Sequence, residues 1–158
     1  MTHAIRRADP SEMPALARLW FNAWREAHEA YVPADLTRIR TLASFEERLR
    51  RFGDALRVVG PMGAPLGLCV VKGDELNQLF TSPEARGSGA AQALIVDAEA
   101  RVAAAGHPVI WLDVVIENAR AIRFYEKMGW RRKGEEVTPL DTLDQPFDLK
   151  VLIMQKDL

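Results

Sequence analysis

Apolar positions recur along the chain at two periods, and the switches between them mark the elements. Ile5 stands between polar neighbours in residues 4–7 and predicts a short strand. Met13, Leu16, Leu19, Trp20, Ala23, Trp24 and Ala27 then recur at helical spacing. The start of this helix has two candidate caps. Asp9 with Glu12 has capping-box spacing, whereas a Ser11 cap would leave Pro14 in the first turn, where proline is tolerated. Pro33 ends the pattern. Ser44 and Glu47 form another capping-box pair, with Phe45, Leu49 and Phe52 on one face of a second helix.

Strand signals follow. Residues 56–60 and 66–72 flank Pro61-Met62-Gly63-Ala64-Pro65, which reads as a hairpin turn. Gly73-Asp74 is a further turn, and residues 75–81 form the next strand. An alanine-rich helix over residues 89–105 stops at Gly106, with Pro108 just beyond. Residues 109–115 are nearly all apolar, which predicts a strand covered on both faces. Asn118 caps a short helix that ends near Met128-Gly129, and residues 130–134 and 148–155 close the chain as strands. The order is β-α-α-β-β-β-α-β-α-β-β. The strand–helix–strand unit over residues 75–115 implies a parallel crossover within a mixed sheet.

Composition adds bounds. A chain of 158 residues without repeats or an internal linker reads as a single domain over residues 1–158, long enough to bury a core without disulfides. A hydrophobic fraction of 48% and a formal net charge of -1 describe an ordinary globular balance. That charge, and the lack of interleaved basic and aromatic residues, disfavour nucleic acid and anionic membranes as partners. The one cysteine, Cys69, sits in an apolar run and reads as a small buried hydrophobe. With no signal-like segment and no membrane-length apolar run, a cytoplasmic location is expected. No His/Cys/Asp cluster has metal-ligand spacing, so no metal is expected.

The chemistry concentrates in Thr81-Ser82-Pro83-Glu84-Ala85-Arg86-Gly87-Ser88-Gly89-Ala90-Ala91. A strand ends, a glycine-rich turn follows, and a helix begins. Such a turn brings backbone N–H groups and the positive end of a helix to an anion. A P-loop would need Gly-Lys-Ser/Thr, and a Rossmann turn a third glycine where Gln92 stands. Instead, Arg86, Gly89 and Ala91 fall in an Arg-x-x-Gly-x-Ala pattern that resembles the acetyl-CoA pyrophosphate signature of the GNAT superfamily. The segment from Asn118 to Trp130 is similar to that family's Asn-x-x-Ala-x-x-x-Tyr-x-x-x-Gly-Phe motif, with Trp130 in place of Phe. The motifs stand in the family's order, and the resemblance covers nearly the whole chain. Residues 23–36 also resemble a segment that roofs the acceptor site in a subset of these enzymes.

The resemblance implies an α/β (α+β) fold: one GNAT-type domain whose mixed, mostly antiparallel sheet splays at the acetyl-CoA site, with helices on both faces. It implies pantetheine against the backbone of Leu79, Phe80 and Thr81, and pyrophosphate on Arg86, Gly87, Ser88, Gly89, Ala90 and Ala91. It places Asn118 beside the cofactor arm and the Tyr125 hydroxyl near the sulfur, as general acid. The implied reaction is direct attack of a primary amine, on a small molecule or peptide, on the thioester of acetyl-CoA. No covalent enzyme intermediate is needed. The alternative is a non-catalytic acyl-CoA sensor or scaffold of the same fold. Glu75 opens the strand where some members carry the general base. His28, Glu26 and Asp113 are further candidates for the base or for the acceptor site, and a base acting through water would leave no signature. A homodimer, paired through an exposed final strand, is the expected assembly.

Overall fold

The computed structural model describes residues 3–158. Strand β1 (Ile5–Arg7) leads through a 3-10 turn, Pro10–Glu12, into helix α1 (Met13–His28). Asp9 is the cap: its carboxylate accepts from the Ser11 N–H at 2.9 Å, and the Glu12 carboxylate accepts from the Asp9 N–H at 2.9 Å. The 3-10 turn absorbs Pro10, so Pro14 still lies in the first turn of α1. Glu12 is only 2% exposed. It takes two Arg6 hydrogen bonds at 2.8 Å each and the Gly63 N–H at 3.1 Å. One carboxylate thus ties β1, α1 and the turn at Gly63 together. The Arg6 hydrogen bonds, then those from the Asp9 and Gly63 N–H groups, hold its pKa down at about 2 against the cost of burial.

A short helix, α2 (Ala34–Ile39), follows Pro33, where the sequence pattern predicted none; six residues are too few to display a period. Helix α3 (Leu42–Phe52) begins earlier than expected. Thr41 rather than Ser44 is its cap: Thr41 Oγ1 accepts from the Ser44 N–H at 3.1 Å, and Ser44 Oγ donates back to the Thr41 carbonyl at 2.7 Å. Glu47 pairs with Arg51 one turn on instead of closing a capping box.

The remaining elements are β2 (Leu56–Val59), β3 (Gly67–Lys72), β4 (Glu75–Thr81), α4 (Ala90–Ala104), β5 (Val109–Val114), α5 (Ala119–Lys127), β6 (Arg131–Leu140) and β7 (Phe147–Asp157). They form one seven-stranded sheet in the order β1-β2-β3-β4-β5-β7-β6. Every neighbouring pair is antiparallel except β4 and β5, so the sheet is mixed and mostly antiparallel as expected. The final strand is not an edge. β7 is paired by β6 over residues 147–155 and by β5 over residues 152–157, and the outer strands of the sheet are β1 and β6. The expected exposed final strand is therefore an inner strand, and β6 is the outer one at that end of the sheet.

Helices cover both faces. Leu94, Ile95, Ala98 and Val102 of α4 pack with Ile122 and Tyr125 of α5 on one side. Leu16, Trp20 and Trp24 of α1 pack with Phe45 and Leu49 of α3 on the other. Strand β5 is not covered on both faces along its length. Ile110, Leu112 and Val114 are buried, while Val109, Trp111 and Asp113 are half-buried. Trp111 donates its indole N–H to Asp74 at 2.9 Å, and Asp113 borders a cavity. Among the described residues no helix is long and apolar enough to cross a membrane.

The feature that positions the site is a fork in the sheet. Strands β4 and β5 pair only at Glu75 opposite Trp111. The register between β3 and β4 shifts there: Val70 faces Gln78 but Val71 faces Leu76, so Asn77 is an extra residue in β4. Such a bulge bends its strand and increases its twist. Beyond Asn77, β4 turns away from β5, and the edge facing β5 is left without a ladder partner.

Candidate functional site

The fork separates two spaces. Bounded by α4, α5 and the second half of α1 lies a groove of about 810 Å³. On the side of α1 and α3 lies a smaller cavity of about 120 Å³. Leu79, Phe80, Asn118, Ala121 and Tyr125 line both and form the passage between them.

The glycine turn ends the groove. Gly87 (φ 76) and Gly89 (φ 88) take left-handed conformations that a side chain would strain. This turns the N–H groups of Gly87, Gly89, Ala91 and Gln92 free of any partner among the described residues, at the start of α4. Those four residues line the groove with Arg86. Ser88 and Ala90 do not. The Ser88 N–H donates to the Ala85 carbonyl at 3.1 Å, and the Ala90 N–H donates to Ser88 Oγ at 3.2 Å. The family resemblance includes both; the turn uses them to hold its own shape, and Gln92 stands in the groove instead. Asn118 caps α5, its side-chain oxygen accepting from the Ala121 N–H at 3.3 Å, and it lines the passage. Glu26 faces the groove, not the cavity. It pairs with Arg86 and lies 3.8 Å from Arg120.

Tyr125 packs against Phe124 and Trp130, with ring centroids at 5.5 and 5.7 Å, and is 8% exposed. Burial first, then Cys69 and Asp113, pushes its hydroxyl above the usual value of 10. It therefore stays protonated at any working pH.

The cavity joins strand residues to the helical roof. Asn77, Gln78 and Asp113 come from β4 and β5; Trp24, His28, Arg40 and Arg48 come from above. Burial, then the charge of Asp141, raises the Asp113 pKa to about 6. Glu75 is raised to about 7, chiefly by burial, although an Asn77 hydrogen bond at 3.2 Å opposes the shift. Glu75 does not line the cavity; it sits at the paired root of the fork. His28 is 9% exposed, and burial followed by the charge of Arg40 lowers its pKa to about 4, so it is neutral at pH 7. Its buried Nδ1 has no hydrogen-bond partner.

A model of the Acetyltransferase (GNAT) family matches residues 13–130. The chain belongs to the GNAT acetyltransferase family. It is 26% identical over 152 residues to the peptidyl-lysine N-acetyltransferase YjaB of Escherichia coli, covering 94% of this chain and 95% of that protein. Its fold is similar to a GCN5-related N-acetyltransferase from Rhodopseudomonas palustris (TM-score 0.77, 21% identity, covering 100% of this chain and 97% of that one). It is also similar to the PaiA N-acetyltransferase of Thermoplasma acidophilum, solved with coenzyme A (TM-score 0.69, 16% identity, both chains covered fully).

Within this GNAT domain the sequence pattern missed Asn77, Gln78, Arg40 and Arg48. Arg48 did leave a signal. It occupies the apolar face of α3 between Phe45, Leu49 and Phe52, a charged residue at a core position. Arg40, in the link between α2 and α3, left none.

Proposed function

We propose that this GNAT protein transfers the acetyl group of acetyl-CoA to a primary amine by direct attack. The observation that carries the reading is the passage at Tyr125. It joins a groove ending in free N–H groups to a smaller cavity lined by a carboxylate of raised pKa. The free N–H groups of Gly87, Gly89, Ala91 and Gln92, with Arg86, suit a pyrophosphate. Arg86 would exchange its contact with Glu26 for the phosphate. The unpaired edge of β4 at Leu79, Phe80 and Thr81 suits the amide groups of the pantetheine arm.

The acceptor amine enters from the cavity. An alkylammonium has a pKa near 10.4 and must lose a proton to attack. Asp113 is the base in this reading rather than Glu75, because Asp113 lines the cavity and Glu75 does not. With its pKa at about 6, Asp113 is ionised at neutral pH and takes the proton as the new C–N bond forms and the amine becomes more acidic. A backbone N–H of Phe80 or Thr81 stabilises the developing oxyanion. The departing thiolate has a pKa of roughly 8.5 by analogy with cysteine. A phenol raised above 10 gives its proton to such a thiolate only uphill. Tyr125 therefore contributes mainly a hydrogen bond to the developing charge. Of the two protons the ammonium loses, the first goes to solvent before attack, and the second, taken by Asp113, passes on through water to the thiolate and completes the thiol. Holding both substrates at the passage supplies much of the rate.

The test is calorimetric titration with acetyl-CoA, with dephospho-CoA and NADH as controls, followed by an amine screen for thiol release. Saturable binding of acetyl-CoA, weaker for dephospho-CoA and absent for NADH, supports the groove assignment. Absence of acetyl-CoA binding refutes it. Binding without thiol release across the screen replaces the transferase with a non-catalytic acyl-CoA sensor.

A further inference from the structure

The acceptor cavity holds two buried guanidinium groups that the proposed reaction does not use. Arg40 and Arg48 are each 5% exposed and both line the cavity. They lie near enough for the charge of Arg40 to lower the pKa of Arg48. Burial contributes most to lowering both, to about 10 for Arg40 and about 9 for Arg48, so both remain cations at neutral pH.

Neither has a full set of partners. Arg40 donates to the backbone carbonyl of Asp141 at 2.6 Å, and its buried Nε has no partner. The Arg48 guanidinium stacks over Trp20 at 4.5 Å and Phe45 at 5.7 Å. Stacking covers the face of the plane and leaves the in-plane N–H donors, which make no hydrogen bond or ion pair among the described residues. The nearest carboxylate that acts on them, Asp141, is taken by Lys72 at 2.6 Å, and its side chain is half-exposed. His28, the third roof group, is neutral and adds no charge of either sign. Asp141 is thus the one carboxylate acting on both arginines, it is shared with Lys72, and two buried cations with so little counter-charge are expensive. Across the cavity, Asp113 presents the opposite sign next to the passage.

We infer that the acceptor of the proposed transfer is a small amine that also carries an oxyanion, of the free amino acid type, with its anion held by Arg40 and Arg48 and its amine turned toward Asp113. The inference rests on the acetyltransferase reading for the reaction but on the roof arginines for the ligand. Size agrees with it. At about 120 Å³ the cavity is slightly smaller than the roughly 150 Å³ cavity that holds benzene, so it suits a ligand of about six non-hydrogen atoms, with alanine as the fit and any longer side chain reaching toward the passage. A lysine side chain presented by a peptide would bring no anion to the two arginines. Carboxylate and phosphonate share this chemistry.

The experiment has two arms on the intact protein. In the first, thermal melts without acetyl-CoA are recorded with alanine, serine, aspartate and glutamate, each beside its 1-carboxamide, and with 2-aminoethylphosphonate beside ethanolamine. In the second, thiol release from acetyl-CoA is measured for the same pairs and for Nα-acetyl-lysine methylamide as the peptide mimic. A rise in Tm with an oxyanion-bearing amine but not its neutral partner is expected, with kcat/KM higher by on the order of a hundredfold. Preference confined to the phosphonate pair assigns the anion to that group; preference confined to amino acids assigns it to a carboxylate. Arg48→Met is expected to raise KM for the preferred acceptor at least about tenfold and to collapse the preference within its pair, while acetyl-CoA affinity, read by calorimetry, is unchanged. Arg48→Lys is expected to recover part of the loss. Equal use of charged and neutral partners, or turnover of the lysine mimic alone, overturns the inference while leaving the acetyltransferase reading standing. Loss of acetyl-CoA binding in the wild type refutes the reaction instead, and the melts then decide the anion site by themselves: no shift with any oxyanion overturns it.

Discussion

Replacement of Asp113 by asparagine should make the protein more stable and less active at the same pH. The carboxyl has an ordinary pKa of 3.8 and is raised to about 6 in the fold, first by burial and then by Asp141. Each pKa step corresponds to 1.36 kcal/mol, so full ionisation costs the fold at most about 3 kcal/mol, and about 1–3 kcal/mol for a half-buried group. The native state binds the proton more tightly than the unfolded chain. Wild-type stability therefore falls as pH rises from about 4 to 6, and the penalty is complete above that window. Asp113→Asn removes the penalty. Urea denaturation should find the variant equal to wild type below pH 4 and more stable by about 1–3 kcal/mol at pH 8. Turnover should drop by about 10²–10⁴-fold, the usual contribution of a general base, and the rise in kcat/KM centred near pH 6 should vanish. A variant that is no more stable at pH 8 than at pH 4, relative to wild type, would show that the carboxylate is not desolvated. One that retains both the rate and its ascending limb would remove Asp113 from the chemistry.

Tyr125→Phe should lower kcat by about a hundredfold with acetyl-CoA affinity nearly unchanged, since the lost hydrogen bond forms with the departing thiolate; unchanged turnover across a full pH profile would sink the assignment. Gly89→Trp should leave a folded domain by circular dichroism, because the nearest atom to a Cβ there is His3 Cδ2 at 3.8 Å, and the φ of 88 adds only about 1–2 kcal/mol of strain. Its calorimetric titration should show acetyl-CoA affinity reduced by more than about a hundredfold, the new indole covering the free N–H groups of the turn; wild-type affinity would move the cofactor elsewhere. Glu12→Ala should cost about 3–5 kcal/mol at pH 7 by leaving Arg6 and two backbone N–H groups without their acceptor. Because the folded pKa of Glu12 is about 2 against an ordinary 4.5, its contribution is complete above pH 4.5 and fades toward pH 2, so the urea midpoints of variant and wild type should converge in acid.

What could be read without coordinates was local in origin. The periods of β1, α1, β4, α4 and α5 are written in residues a few positions apart, and the strand–turn–helix at Gly87 and Gly89 carries its anion chemistry in backbone geometry that glycine alone adopts freely. The two motifs therefore identified the family from the sequence alone, and they directed attention to the turn and to Tyr125, which line the groove. The errors were also local in origin. A six-residue helix has no period to show, and a serine at position 44 looks like a cap until Thr41 is seen to hold its N–H.

The tertiary structure alone decided everything that depends on residues meeting from distant segments. The extra residue in β4 is visible only against β3, so neither the bulge at Asn77 nor the fork it opens could be read from one strand. The topology puts β6, not the final strand, at the edge. The cavity draws Arg40 and Arg48 from the helical layer and Asp113 from β5, each uninformative in its own sequence neighbourhood. The proposal of Asp113 rather than Glu75 as base rests on which carboxylate lines that cavity. A sequence determines which side chains are present and what its local backbone prefers. Desolvation and charge proximity set what those side chains do, and both are properties of packing.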